Sequence, residues 1–506
     1  MRIGSLLLTL LSVVTANVSA QELTAPKIVL KIADDPCRAD VLFNPVPQME
    51  ICTPHLDAPE KKPLNLLVIT ADDMNADSGG WNGNTLGVTP NLDAFAKSAH
   101  RFVNSHVTVP ICQPGRSALM TGRVPHRNGA LGFNPIRRDV PTLVELLRDK
   151  GYYTAVIAKA VHMAPAEKFP WHAIGEQTLG KQPTKFAEKF RTMLAAAAKE
   201  QKPFFINANI CDPHRPFISG VGKKAKAKAD EPLDGARVFK PDEVTVLAFL
   251  EDIPQVREEV AQYYSSVNRF DVAFGLVMKE LTAAGRDADT VVVFMSDHGM
   301  SFPFSKATVY HNGTRSPVLI RIPGLSESQT RTEFVSSVDV MPSLLELLDV
   351  EPPTGMDGRS WVPLLKGKTQ PDRDFVITHV NTVSSGKSLA QRCVRTKDRA
   401  LMFHSWVGGK EEFRVEAMSG LSFAAMNAST DAKIQARVKQ LVEGESLMLF
   451  DTATDPTERK NLIHDPKYAN EVVELSKKLL VHMKQTEDPQ LPAFEAALEK
   501  HQQEAR

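Results

Sequence analysis

Short, wholly apolar runs alternate with amphipathic segments along most of the chain. LNLLVIT (residues 64–70) and TVVVFMS (residues 290–296) have the length and composition of buried strands. Within residues 260–281, apolar side chains recur at spacings of three and four, which marks one face of a helix that Gly285 ends. Apolar strands that alternate with helices predict an α/β fold, in which helices cover both faces of a mainly parallel sheet.

The pattern changes near residue 371. The segments DFVITHV, RCVRTKDRALMFH and SLMLFDTATDP read as half-exposed strands, and a helix is predicted near residues 471–484. We therefore expect a larger domain at residues 63–370. A smaller α+β subdomain with an antiparallel sheet is expected at residues 371–506.

The first twenty residues have the pattern of a signal peptide. An arginine precedes an apolar run at residues 3–14, and small residues end in Ala20. The run is too short to span a bilayer, and no later stretch is long and apolar enough. We predict a signal peptide at residues 1–20, an irregular extension at residues 21–62 and no stable membrane insertion. The mature protein is expected to be exported, with the periplasm or secretion favoured over a lysosome.

Composition and charge narrow the class of protein. The 506 residues are 42% hydrophobic and 24% charged, as in ordinary globular proteins. Lys plus Arg and Asp plus Glu both number 60, so no global charge points to a nucleic acid partner. The five cysteines leave at least one unpaired. A bridge between Cys37 and Cys52, which are close together in a loop-like segment, is an open alternative to free thiols.

Acidic residues follow two of the predicted strands. Asp72 and Asp73 come after the first, and Asp297 and His298 come after TVVVFMS. Ligands of open α/β sheets bind at the carboxyl ends of strands. Neighbouring carboxylates repel each other unless a positive charge lies between them, and a hard divalent cation supplies one. The alternative is that these acids are solvated turn residues.

A single cysteine lies at the start of a predicted helix. In VPICQPGRSALMTGRVPH (residues 109–126), Pro114 suits a first helical turn, which places Cys112 just before the helix. Backbone N–H groups at such a terminus favour an anion, and Arg116 can return to the same place. The segment therefore combines a nucleophile with an anion site suited to a phosphate-like or sulfate-like group. A buried structural thiol is the alternative.

These residues resemble a known family. CQPGR is similar to the C-x-P-x-R signature of the type I sulfatases, within the alkaline-phosphatase superfamily. The resemblance extends over most of the chain from residue 64 and includes VITADD, DPHRPF, FMSDHG and LFDTATDPTERKNLI. HRNGALGF, DHGMSFPFSKATVYHNGTRSPVLI and RCVRT resemble the heparan N-sulfatases, or sulfamidases. The resemblance implies an alkaline-phosphatase-like fold, with the catalytic domain at residues 63–370.

The resemblance also implies the chemistry. In this family a maturase oxidises the motif cysteine to formylglycine, whose hydrate attacks sulfur and later expels sulfate. Cys112 is the corresponding residue. The expected substrate is a sulfated carbohydrate. A calcium ion is expected among five residues, namely Asp72, Asp73, Cys112, Asp297 and His298.

Five further roles follow from the same resemblance. Arg116 is expected to stabilise the hydrate and the sulfate oxygens, and Lys159 to hold sulfate. His162 would accept the proton whose loss releases sulfate, and His214 would give a proton to the leaving group. Lys306 would bind sulfate and assist departure of the leaving group.

The sequence departs from the usual family pattern at four points. Gly115 stands where Ser or Ala is usual, and two residues rather than one separate Lys159 from His162. His298 replaces the commoner Asn, and Lys306 stands where sulfamidases carry Arg. An O-sulfatase on another glycan and a phosphonate or phosphodiester hydrolase therefore stay open. A glycan-binding pseudoenzyme is a third alternative, although the chain keeps the acids and the cysteine.

Overall fold

A computed structural model describes residues 62–219, 232–325 and 328–504. The predicted signal peptide and most of the predicted N-terminal extension, with Cys37 and Cys52, lie outside the described residues. Cys112, Cys211 and Cys393 are buried free thiols.

Two sheets organise the described residues. The strands of the first are β1 (Asn65–Asp72), β2 (His100–His106), β3 (Tyr153–Ile157), β4 (Ala173–Gly175), β5 (Phe204–Pro213), β6 (Thr290–Ser296), β7 (Val318–Arg321) and β8 (Thr330–Ser336). Their order is β4-β3-β5-β1-β6-β7-β2-β8, and every pairing is parallel except those that β7 makes with β2 and β6. The prediction of a mainly parallel sheet is confirmed.

The second sheet is antiparallel and lies C-terminal to the first in the sequence. Its strands are β9 (Phe375–Thr382), β10 (Ser388–Thr396), β11 (Arg399–His404) and β12 (Leu447–Asp451), in the order β12-β11-β10-β9. The predicted antiparallel C-terminal sheet is therefore also confirmed.

Helices surround both sheets. They are α1 (Pro90–Ala96), α2 (Cys112–Thr121), α3 (Pro125–Asn128), α4 (Leu143–Asp149), α5 (Pro183–Lys199), α6 (Pro254–Ala283), α7 (His311–Thr314), α8 (Val340–Leu347), α9 (Val362–Leu365), α10 (Leu421–Ala428), α11 (Ala432–Val442), α12 (Ala469–Gln485) and α13 (Leu491–Glu504). Short 3-10 turns link several of them. Among the described residues, no helix combines the length and apolarity needed to cross a membrane.

Alternating side chains of β1 supply two separate hydrophobic cores. Leu67 and Ile69 belong to a core that includes Phe190 of α5. Leu66 and Val68 point to the opposite face, into a core that includes Leu147 of α4. Because the central strand is buried on both faces, residues 66–69 are all apolar, and apart from Asn65 at its start the polar side chains appear toward its carboxyl end.

The strands of the second sheet are buried, not half-exposed as their alternating sequence predicted. Met402 of β11 belongs to the main core, on the side of the sheet facing the larger domain. Leu401 and Leu449 belong to a separate core with Leu479 of α12 and Phe494 of α13. The sequence pattern was misleading because the polar positions of these strands include buried arginines that make ion pairs, such as Arg392 with Asp488.

The packing of α12 on the second sheet gives a stability prediction. Leu479 is fully buried in this core, so Leu479→Ala should lower the free energy of unfolding by about 2–5 kcal/mol. Val481 lies on the same helix and is 53% exposed, so Val481→Ala should change that free energy by less than about 0.5 kcal/mol. Midpoints of denaturant unfolding measure both. Equal effects of the two substitutions would contradict this packing.

Candidate active site and metal centre

Four neighbouring strands end at the same place. β3, β5, β1 and β6 lie side by side and run parallel, so their carboxyl ends meet at one edge of the sheet. Asp72 ends β1, and Asp297 directly follows β6. Lys159 lies just after β3 and His214 just after β5. The sheet topology therefore collects residues that are up to 225 positions apart in the sequence around one point.

The acids after β1 and β6 form a compact cluster with Cys112. One ligand atom from each of Asp72, Asp73, Cys112 and His298 lies within 4.8 Å of the others. Cys112 Sγ is 3.6 Å from Asp72 Oδ1 and 3.2 Å from His298 Nε2. His298 Nε2 is 3.5 Å from Asp73 Oδ1 and 3.7 Å from Asp297 Oδ1. The structure thus brings four of the five residues that the sequence assigned to a metal into one set, and it places Asp297 beside that set, next to His298.

The local backbone and tautomer make these atoms available. Asp73 has a left-handed backbone (φ 71°), and its N–H donates to Asp297 Oδ1 at 3.1 Å. His298 Nδ1 is 3.0 Å from the carbonyl oxygen of Gly299, so Nδ1 donates and Nε2 carries the lone pair that faces the cluster. Three carboxylates match the oxygen preference of calcium, and the imidazole is the least suited member of the set. The donors therefore fit a divalent cation, with the carboxylates as its main ligands.

Each carboxylate of the cluster is paired with one basic side chain. Lys159 contacts Asp72, Lys306 Nζ lies 3.0 Å from Asp73 Oδ1, and Arg116 Nη2 lies 2.8 Å from Asp297 Oδ2. Burial alone would raise the pKa of Asp72, but Lys159, His214 and Arg116 hold it well below its usual value. Despite burial, Lys306 likewise holds the pKa of Asp73 below its usual value, whereas burial and the charge of Asp72 raise the pKa of Asp297. Asp72 and Asp73 are therefore ionised, and each of the three carboxylates has a basic partner.

The catalytic-site helix α2 begins at Cys112 itself. Ile111 is extended and precedes the helix, so Cys112 is the first helical residue. The sequence analysis had placed Cys112 one position earlier, just before the helix. Burial raises the pKa of the Cys112 thiol well above its usual value, although Lys306 opposes this effect. As an unmodified thiol, Cys112 is a poor nucleophile, because nucleophilic attack requires the thiolate.

Arg116 is fixed by a network that the sequence did not reveal. Its Nη1 donates to Asn209 Oδ1 at 2.6 Å and to Thr70 Oγ1 at 3.1 Å. Thr70 Oγ1 also donates to Asn209 Oδ1 at 2.7 Å. Thr70 and Asn209 occupy facing positions on the paired strands β1 and β5, a register that sequence patterns do not specify. The network orients the guanidinium toward Asp297.

Lys159 and His162 lie on the turn after β3. Lys159 adopts a left-handed backbone, and its N–H donates to Gln177 Oε1 at 2.6 Å. Burial, together with the charges of Lys159 and Arg116, lowers the pKa of His162 to about 3. Nδ1 of His162 is buried without a hydrogen-bond partner. His162 is therefore neutral and able to accept a proton.

His214 and Lys306 meet at a carboxylate that the sequence analysis missed. Glu416 Oε2 is 3.1 Å from Lys306 Nζ, and Glu416 Oε1 is 3.5 Å from His214 Nε2. His214 Nδ1 lies 2.6 Å from the carbonyl oxygen of Arg215 and donates to it, which leaves Nε2 facing Glu416. Burial and Lys306 lower the pKa of His214. Glu416 lies in no recognisable motif, so only the fold places it here.

Comparison with known proteins decides the family. The chain matches the sulfatase family over residues 64–350, which is more than half of its length. The chain belongs to the sulfatase family. This sulfatase is thus a hydrolase of sulfuric esters or sulfamates. Residues 297–413 also match a family described as "N-sulphoglucosamine sulphohydrolase, C-terminal".

Curated relatives of this sulfatase cover most of both chains. N-sulphoglucosamine sulphohydrolase from Homo sapiens is 28% identical over an alignment of 477 positions that covers 87% of this chain and 93% of the relative. An ulvan-active sulfatase from Formosa agariphila is 27% identical over an alignment of 464 positions that covers 84% of this chain and 81% of the relative.

Solved structures share the fold. A phosphonate monoester hydrolase from Silicibacter pomeroyi has a TM-score of 0.60 and 19% identity, and the match covers 85% of this chain and 96% of that one. A second structure, described as a complex with its substrate D-glucosamine-2-N,6-O-disulfate, has a TM-score of 0.63 and 19% identity, with 85% and 99% covered. At this level of identity the likeness confirms the alkaline-phosphatase-like fold.

Close packing explains why this sulfatase has Gly115 where Ser or Ala is usual. A Cβ at position 115 would lie 2.7 Å from the carbonyl oxygen of Val109 and 3.6 Å from that of Asp297. Both neighbours are backbone atoms of segments that carry the site, so they cannot move aside as a flexible side chain could. The glycine therefore lets α2 approach the strand ends closely.

Gly115→Ala should destabilise the sulfatase. Alanine normally stabilises a helix relative to glycine by about 1 kcal/mol. Here the overlap with the Val109 carbonyl should outweigh that gain and lower the free energy of unfolding by about 1–3 kcal/mol. The midpoint of thermal unfolding measures the effect. A midpoint equal to or above that of the wild type would show that α2 shifts freely and that the contact is unimportant.

Proposed function

We propose that this sulfatase releases sulfate from a sulfated carbohydrate, with the N-sulfated glucosamine of heparan-type glycans as the favoured substrate. The observation that carries the proposal is the ring of three paired carboxylates and basic residues around Cys112. The match of residues 297–413 and the similarity to the human sulphohydrolase support the choice of sugar.

Charge balance explains why such a site binds an anion. Lys159, Lys306 and Arg116 offset most of the negative charge of Asp72, Asp73 and Asp297. A divalent cation held by the carboxylates would leave a surplus of positive charge in a site that excludes water. An anionic sulfate group relieves that surplus, and the low local dielectric strengthens the attraction.

We propose that Cys112 is converted to formylglycine by a maturase and that Asp72, Asp73, Asp297, Cys112 and His298 surround a calcium ion. When present, the formylglycine hydrate supplies the nucleophile and the ion supplies charge that polarises the sulfate. The protonated, buried thiol of Cys112 supports this assignment, because the unmodified side chain is a poor nucleophile.

Two of the remaining side chains, His162 and His214, would each carry out one proton transfer. His162 is neutral, so it suits the role of proton acceptor beside Cys112. His214 must hold a proton on Nε2 to act as an acid, because its Nδ1 is committed to the Arg215 carbonyl. Burial and Lys306 oppose that protonated form, the charges of Asp73 and Asp72 favour it, and Glu416 lies 3.5 Å from Nε2. Lys159 and Lys306 are placed to hold sulfate oxygens.

A second candidate is an O-sulfatase acting on another sulfated glycan. The ulvan-active relative is almost as similar to the chain as the human sulphohydrolase. Lys306 also stands where sulfamidases carry Arg. The chemistry around Cys112 is the same in both candidates, so the difference lies in how the sugar is recognised.

The placement of the domains and of the protein also remains a proposal. We propose that residues 63–370 carry the catalytic chemistry and that residues 371–506 form a subdomain, from which Glu416 reaches Lys306. We further propose that the protein is exported to the periplasm or the exterior, as its N-terminal sequence and a glycan substrate would require.

Cys112→Ala should reduce sulfate release to the background rate and leave the thermal midpoint close to that of the wild type. Cys393→Ala is the matched control, because Cys393 is also a buried free thiol but lies in the second sheet. Sulfate release by ion chromatography is the assay. Retention of activity in Cys112→Ala would overturn the proposed nucleophile. The mass of the Cys112 peptide tests the conversion, and an unmodified thiol in active protein would contradict it.

The substrate proposal predicts a ranking. In a panel of N-sulfated, 2-O-sulfated and 6-O-sulfated sugars with a phosphonate monoester, kcat/KM should be highest for N-sulfated glucosamine, by about tenfold or more, which corresponds to about 1.4 kcal/mol of transition-state binding. Preference for an O-sulfated sugar would select the second candidate. Preference for the phosphonate would reject both sulfatase assignments of substrate.

A further inference from the structure

Three histidines gather with one aspartate outside the candidate active site. His126 lies on α3, His379 on β9, His482 on α12 and Asp488 just after α12. The ligand atoms of His126, His379 and Asp488 all lie within 4.8 Å of one another. None of these residues contributes to the chemistry proposed for Cys112, so the cluster needs its own explanation.

His379 presents an unused nitrogen to this cluster. Its side chain is fully buried, and its Nδ1 has no hydrogen-bond partner in residues 62–219, 232–325 and 328–504. Nδ1 lies 3.9 Å from Asp488 Oδ2, which is too far for a hydrogen bond. On the other side of the ring, His379 Nε2 is 3.1 Å from His482 Nε2. If His379 donates through Nε2, its Nδ1 carries a lone pair directed at the carboxylate.

That arrangement is typical of a metal-ligating histidine. Such a residue donates its second ring N–H to a neighbouring acceptor, which fixes the ring and its tautomer. His482 fills this supporting role for His379. A buried imidazole lone pair without a partner is otherwise costly, since the lost hydrogen bond with water is not replaced.

His126 also has ring nitrogens that could bind a metal ion. Among the described residues, neither buried ring nitrogen makes a hydrogen bond of normal geometry, although the backbone of Thr486 lies near enough to raise the pKa of His126, and the ring centroid lies 5.6 Å from that of His379. Burial lowers the pKa of His126 to about 4, and burial with Arg392 holds the pKa of His379 well below its usual value. Both imidazoles are therefore neutral near pH 7, which is the form that binds metals.

Asp488 keeps one free acceptor site. Arg392 Nη2 and the backbone N–H of Gln490 both donate to Oδ1, at 2.8 and 2.9 Å. Within the described part of the chain, Oδ2 accepts a hydrogen bond only from Arg392 Nε, at 2.6 Å. A carboxylate oxygen has two lone pairs, so Oδ2 retains one, and Oδ2 is the atom nearest to His379 Nδ1.

We propose that His126, His379 and Asp488 form a structural site for a transition-metal ion such as Zn²⁺. Bonds of about 2.1 Å place the donors of a tetrahedral zinc ion about 3.4 Å apart, so the present separations, which are at most 4.8 Å, need to contract by up to about 1.4 Å. A water molecule would supply the fourth ligand, because His126 is only partly buried.

The chemistry of the donors argues against calcium at this site. Calcium prefers an all-oxygen environment, and two of the three donors are imidazole nitrogens. Arg392 also offsets the charge of Asp488. The affinity therefore depends mainly on nitrogen ligands, which favour zinc, copper or cobalt over calcium.

The proposed ion would join two parts of the fold. His379 belongs to the second sheet, and its backbone N–H donates to the carbonyl oxygen of Thr108, just before Cys112. His126 lies just after α2 in the sequence, and Asp488 lies between α12 and α13. An ion at this position would fix the C-terminal sheet against the segments on either side of the active-site helix. Its effect should appear in stability rather than in the chemical step.

Binding of Zn²⁺ to the whole protein tests the proposal. With calcium in excess to occupy the active site, wild-type protein should bind one more equivalent of Zn²⁺ in a calorimetric titration than His126→Asn does. Zn²⁺ should also raise the thermal midpoint of the wild type and leave that of His126→Asn unchanged. His172→Asn is the matched control, because His172 is an exposed histidine stacked on Tyr153, outside the cluster.

Two results would overturn the site. The first is an equal number of Zn²⁺ equivalents in the wild type and in His126→Asn. The second is a wild-type thermal midpoint that does not respond to Zn²⁺, a measurement that needs no variant to fold. Replacing Zn²⁺ by Co²⁺ adds an independent readout, since coordination by imidazole gives visible absorption that His126→Asn should lose and His172→Asn should keep.

Discussion

The burial of three carboxylates at one edge of a sheet is the constraint on which the rest of this structure depends. Asp72, Asp73 and Asp297 would repel one another strongly if they were left unpaired away from water. The carboxylates are paired with three basic residues, Lys159, Lys306 and Arg116, each on a different segment of the chain. The same balance explains anion binding. A further cation would make the net charge of the site positive, and a site with a positive net charge attracts an anion.

Supporting residues hold this balance in place from a distance. Asn209 and Thr70 orient the guanidinium of Arg116, and Gln177 fixes the backbone of Lys159. Glu416 comes from the C-terminal part of the chain and links Lys306 to His214. The C-terminal part thus contributes a charge to the site as well as apolar packing, so the two parts are expected to act as one unit in catalysis.

Part of this arrangement was predictable from the sequence and part was not. Strands that are apolar on both faces predict a parallel sheet with helices packed on both sides. The topology of such a sheet brings Asp72 and Asp297 together. The second sheet was predicted correctly as antiparallel, but its burial was not, because buried arginines such as Arg392 imitate exposed positions. Glu416 and Asn209 could not be found at all, since their roles depend on register and on contacts between distant segments.

The burial of Cys112 limits when an enzyme could reach its side chain. Cys112 is only 2% exposed, and the strands around it come from distant parts of the sequence. An enzyme that modifies this side chain would need access to it, which the folded chain does not offer. If Cys112 is oxidised as proposed, the oxidation would have to come before the chain folds, and a chain that folded first would keep an unmodified thiol.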